Sequence, residues 1–90
     1  MADPAELFAR VPLGYSVVLF RGRRYGVTRS AAVGGRSQTV YAEELGGRDV
    51  VSANLYLVSG RPELRPCEMP AATVLAFLEE LRLAEPDRDS

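Results

Sequence analysis

The sequence predicts an α+β domain: a short N-terminal helix, a four-stranded antiparallel meander, and a C-terminal helix packed on one face of the sheet. Three observations carry this. Four runs rich in valine and tyrosine follow one another, separated by glycine-bearing turns. Each end of the chain carries a proline-led segment with apolar residues at helical spacing. The chain has 90 residues, enough for one modest core. Residues 1–84 are expected to form this single domain and 85–90 a polar tail.

The first helix is expected at Asp3-Pro4-Ala5-Glu6. Asp3 can accept hydrogen bonds from the first free backbone N–H groups, Pro4 suits the first helical position, and Glu6 can reach back. Leu7, Phe8 and Val11 give a short apolar face, and Pro12 and Gly14 end it. A helix this short must dock to persist.

The strands are expected at 15–20, 24–29, 37–44 and 50–58. If Arg21-Gly22-Arg23 is a three-residue loop, Leu19 lies opposite Tyr25 and Val17 opposite Val27. If Gly46-Gly47-Arg48-Asp49 is a four-residue loop, Ala42 lies opposite Ala53 and Val40 opposite Leu55. Both hairpins then show one apolar face, while Ser52, Asn54 and Tyr56 turn the other way with Thr39, Tyr41 and Glu43. The connection 59–69 holds Pro62 and Pro66 and cannot be helical throughout. Pro70 opens a helix to about Leu83, with Val74, Phe77, Leu78 and Leu81 on one stripe, Leu75 at its edge, and Glu79, Glu80 and Arg82 outside it.

Composition excludes several kinds of chemistry. His, Lys, Trp and Ile are absent, so there is no Ser-His or Cys-His nucleophile, no imidazole ligand, no P-loop lysine and no lysine Schiff base. Cys67 is the single cysteine, which leaves no intramolecular disulfide, CxxC pair or cysteine-rich zinc site. No ligand spacing points to a metal, and no cofactor is implied. No apolar run is long enough to span a bilayer and no signal segment is visible, so a cytoplasmic protein is expected.

Charge is unevenly placed. Residues 21–40 carry five arginines and no acid, whereas 61–90 carry four arginines against seven acids. The arginine hairpin is one candidate for nucleic-acid binding, although a sequence pI near 5.4 argues against a dedicated nucleic-acid binder. Two other sites stand out. Cys67, in Arg65-Pro66-Cys67-Glu68-Met69-Pro70, precedes the expected helix and follows Arg65, both of which favour a thiolate; adjacent Glu68 opposes it. The outer sheet face offers Tyr41, Asn54 and Tyr56, with Ser52, Thr28 and Arg24 near them, for stacking and hydrogen bonding.

The stretches Tyr41-Ala42-Glu43-Glu44-Leu45-Gly46-Gly47, Ser52, Asn54-Leu55-Tyr56 and Leu64-Arg65-Pro66-Cys67-Glu68-Met69-Pro70 resemble a family of short bacterial proteins that carry the label peptide methionine sulfoxide reductase. The chain has neither the Gly-Cys-Phe-Trp segment nor the Arg-Tyr-Cys segment of the established reductases. The resemblance implies Cys67 as nucleophile on the sulfur of an oxidised methionine, and Glu68 would then supply the proton. The residues themselves point elsewhere, to a non-catalytic binding or regulatory module. It would use Arg24, Tyr41, Asn54, Tyr56 and Arg65 to hold a protein or peptide partner. A homodimer through an exposed sheet edge, at 15–20 or 50–58, is the other association expected.

Overall fold

The computed structural model describes residues 3–67 and 69–84. Glu68 and the expected tail at 85–90 therefore lie outside the described residues. The elements are helix α1 (Pro4–Ala9), strands β1 (Gly14–Phe20), β2 (Arg23–Ala32), β3 (Ser37–Glu44), β4 (Val50–Val58) and β5 (Arg61–Pro66), helix α2 (Ala71–Glu80), and strand β6 (Arg82–Leu83). The described strands form one antiparallel sheet in the order β5-β4-β3-β2-β1-β6. Helix, antiparallel sheet and C-terminal helix are as expected; the four-stranded count is corrected to six.

Helix α1 starts where its cap dictates. The Asp3 carboxylate accepts from the Ala5 N–H at 2.7 Å, and Pro4 follows at the first helical position. Leu7, Phe8 and Val11 are fully buried against the sheet and α2. On α2, Val74, Phe77, Leu78 and Leu81 are buried and Leu75 is half-buried, as the stripe requires. Both helices lie on one side. Beneath them the sheet contributes Val18, Tyr25, Val27, Val40, Ala42, Val51, Ala53 and Leu55 to the core. Phe20, Tyr25 and Phe77 meet edge to face, with ring centroids 5.0–5.8 Å apart.

The two missed strands have separate causes. β5 carries two prolines, and its place at the sheet edge resolves them. The Cys67 N–H donates to the Ser52 carbonyl at 3.0 Å, which sets the ladder phase: residues 61, 63, 65 and 67 bond inward. Pro62 and Pro66 take the alternate positions, where an N–H would point away from β4, so neither costs a ladder bond. The same prolines remove two of the three outward N–H groups of β5 and blunt that edge. β6 is two residues long. It forms because α2 ends at Glu80, short of the expected Leu83, and the chain turns back along β1, pairing Val18 with Leu83 and Leu19 with Arg82.

Two registers differ from expectation. The β1–β2 loop has two residues, Arg21 and Gly22, with φ of 52° and 78°. Positive φ at both positions is the type I′ geometry that matches strand twist. Val18 therefore faces Tyr25 and Val17 faces Gly26, which sends Val18 to the core and puts Val17 and Leu19 on the opposite face. In the second hairpin Val40 pairs with Ala53 and Ala42 with Val51. That shift is by two residues, so every side chain keeps its expected face. Its cause is Glu44, whose N–H donates to the Asp49 carbonyl at 2.8 Å and whose carboxylate accepts from the Asp49 N–H at 3.3 Å. Residues 50–58 are interior, flanked by β3 and β5, so they offer no edge; β6 covers part of 15–20.

Tyr25 joins the core to the loop chemistry. Its ring is buried, and its hydroxyl donates to the Asp49 carboxylate at 2.6 Å. Burial, then the hydrogen bond and the negative charge of Asp49, push this phenol up to about 12, from an ordinary value near 10. The unfolded chain loses this proton first, so the contribution of Tyr25 is complete below about pH 10 and disappears as pH rises through about 12. An alkaline denaturation series should show stability falling by on the order of 2 kcal/mol across that window. Tyr25→Phe should flatten it; an unchanged alkaline limb in that variant would assign the loss elsewhere.

Candidate binding face

Strand parity alone sorts the outer side chains. Positions alternating with buried Val27, Val40, Ala42, Val51, Ala53 and Leu55 turn away from both helices, and no described element covers them. Arg24, Tyr41, Asn54, Tyr56 and Arg65 all occupy this face. The cross-strand rows fix their neighbours. Ser30, Thr39, Asn54 and Arg65 form one row; Tyr15, Thr28, Tyr41 and Ser52 form the next. Tyr41, Asn54 and Arg65 thus lie on adjoining rows of β3, β4 and β5. Tyr56 lies one row further, beside Glu63. Arg24 stands apart, four residues along β2 from the Tyr41 row, about 13 Å away at the rise of a strand.

Most polar groups in the middle of the face are already held. The Thr39 hydroxyl donates to Asn54 Oδ1 at 3.0 Å, and Arg65 pairs with Glu63 at 3.2 Å. The Tyr41 hydroxyl donates to Glu43 Oε1 at 3.2 Å; that bond and the nearby carboxylate charge raise the Tyr41 phenol above its ordinary value. Among the described residues Arg24 has no ion pair, and Tyr56 is 38 % exposed.

Tyr15 belongs to the same face and was not among the expected residues. It is 65 % exposed, and its ring lies diagonally over Gly26, where ring carbons come within 3.0 Å of the place a Cβ would take. Gly26 thus leaves the space that the hydroxyl end of Tyr15 occupies. The readable signal was a lone glycine inside a strand, which often marks such a close approach.

The arginine-rich block does not form one patch. Arg21 makes a two-pronged bridge to Glu80, both contacts at 2.9 Å, and stacks over Phe20 at 4.8 Å. Arg23 bridges Glu44 at 3.2 Å. Arg29 turns to the helix side, donating to Gln38 Oε1 and, at 2.7 Å, to the Val11 carbonyl. Only Arg24 of these four reaches the outer face. An open cleft lined by Phe20, Arg21, Asp49, Val51 and the first turns of α2 has its charges likewise committed, Arg21 to Glu80 and Asp49 to Tyr25.

Cys67 is half-buried and belongs by its backbone to the sheet. Cys67 precedes α2, which begins at Ala71 with Pro70 as its N-cap, and the Cys67 N–H extends the β4–β5 ladder. Its expected proton donor, Glu68, lies outside the described residues. Comparison with protein-family models, curated proteins and solved structures found no match to this chain.

Proposed function

We propose that the protein is a non-catalytic binding module whose helix-free sheet face is its contact surface. The observation that carries this reading is the uncovered face itself, on which Tyr15, Tyr41 and Tyr56 stand 65 %, 41 % and 38 % exposed on three different strands. Tyrosine and arginine are the residues that concentrate binding energy at contact surfaces, and hydroxyl and amide groups lie between the rings here.

The experiment is affinity capture with the parent chain and with Tyr41→Ala/Tyr56→Ala. Both positions are exposed, so the double variant should melt with the parent to within a few degrees. It should lose the partners that the parent retains. Retention of the full set by the double variant would end the assignment of this face.

A further inference from the structure

We propose that this face binds single-stranded nucleic acid, the bases stacking on Tyr15 and Tyr41 and, further along, on Tyr56, with the backbone held by Arg24, Arg61 and Arg82. The inference rests on the reading of the face as a contact surface and names its occupant.

Charge complementarity is the first argument. By strand parity the outer face carries Arg24, Arg61, Arg65 and Arg82 against Glu43 and Glu63. Glu63 is paired with Arg65, and Glu43 keeps its charge while accepting from the Tyr41 hydroxyl; Arg24, Arg61 and Arg82 are exposed and have no ion pair among the described residues. On the helix side Glu6, Glu44, Glu79 and Glu80 stand with Arg10, Arg21, Arg23 and Arg29. Four arginines against two glutamates leave the outer face net positive in a chain whose net charge is -1, with Arg24 and Arg82 at one end of the face and Arg61 at the other.

Ring geometry is the second. Tyr15 leans from the Thr28 row over Gly26, and Tyr41 leans from the same row toward Glu43, the residue paired with Gly26. The hydroxyl ends of both side chains therefore reach toward the Gly26–Glu43 row on either side of β2, from positions about 10 Å apart at two strand spacings. Exposed rings offer a face to a base, and stacking of this kind tolerates any base. Thr28, Ser52, Thr39 and Asn54 lie between and beside the rings, in reach of base edges. The centre of the face is polar, unlike the apolar centre of a protein interface.

The test is a fluorescence-anisotropy titration of a labelled short oligothymidylate and of oligouridylate, with heparin and polyglutamate as anions that have no bases. The chain has no tryptophan, so quenching of its intrinsic emission reports tyrosine stacking directly. Three phosphate contacts predict a roughly twenty-fold loss of affinity between about 50 and 200 mM salt. Tyr15→Ala and Tyr41→Ala should each weaken binding about five-fold or more. Gly26→Ala keeps all three face tyrosines but fills the space under the Tyr15 ring, and should weaken binding with no loss of thermal stability. Absence of oligonucleotide binding at about 50 mM salt overturns the proposal. So does equal binding of heparin or polyglutamate with indifference to the tyrosine variants. If oligonucleotides fail while nuclease-resistant protein partners are still lost in Tyr41→Ala/Tyr56→Ala, the contact face stands and its nucleic-acid occupant falls.

Discussion

Phe77→Ala should cost about 3–5 kcal/mol. Phe77 is fully buried on α2, with its ring 5.0 Å from Phe20 and 5.2 Å from Tyr25, each met edge on. Those three rings join α2 to the turn end of the β1–β2 hairpin. Truncation removes the buried apolar area and also two ring–ring contacts, each worth about 0.5–1.5 kcal/mol beyond area. The cavity cannot be refilled cheaply, because Tyr25 is tethered to Asp49 and Phe20 is held under the Arg21 guanidinium. For a domain of this size the loss corresponds to a melting point about 15–30 °C lower. In urea the midpoint should fall with an unchanged slope. A second readout follows from the same packing: with the ring gone, water reaches the Tyr25 phenol, and its titration should move back from about 12 toward the ordinary range. A loss below about 1 kcal/mol would mean that the three rings do not pack as a unit.

The fold was legible where one periodicity acted alone. In β3 and β4 alternation is clean, so 37–44 and 50–58 coincide with the strands found. A register error of two residues there left Tyr41, Asn54 and Tyr56 on the correct face, because parity survives an even shift. The β1–β2 hairpin shows the opposite case. One residue of loop length decides whether Val18 or Leu19 faces inward, and Arg21-Gly22-Arg23 can be cut either way until the turn geometry is known. That single residue also hid Tyr15, which completes the outer face. β5 was obscured by its own prolines: their punctuation is local, whereas their tolerance depends on lying at a sheet edge with an even spacing of four, both properties of the assembled sheet. Arg10 and Arg29 were silent in sequence for a related reason. A guanidinium bonded to a carbonyl far along the chain follows no period.

Arg10→Ala is the second large effect, and it should fall on α2, not on the helix that carries the residue. Helix α2 has no glycine at its C-terminus, and Leu81 leaves it in an extended conformation, with ψ of 152°. Its last carbonyls would lack partners. Arg10 reaches across 68–71 positions of sequence to supply them, donating to Leu78 O at 2.7 Å, to Leu81 O at 3.0 Å and also to Glu79 O. The positive charge also sits at the negative end of the helix dipole. Hydrogen bonds from a charged donor contribute about 1.5–3 kcal/mol. Water can replace part of that, since one of the three carbonyl contacts is exposed, so the net cost should be about 2–3 kcal/mol. Arg10→Lys should recover the charge but not the fork, restoring less than half. Native-state hydrogen exchange separates this from a general loss: protection should drop first at the C-terminal end of α2 and in the β6 pairing with Val18 and Leu19 that follows directly from it. Uniform loss of protection across β3 and β4 would instead make Arg10 a contributor to global stability alone. If exchange is unchanged at Leu81 and its neighbours, the guanidinium does not cap the helix.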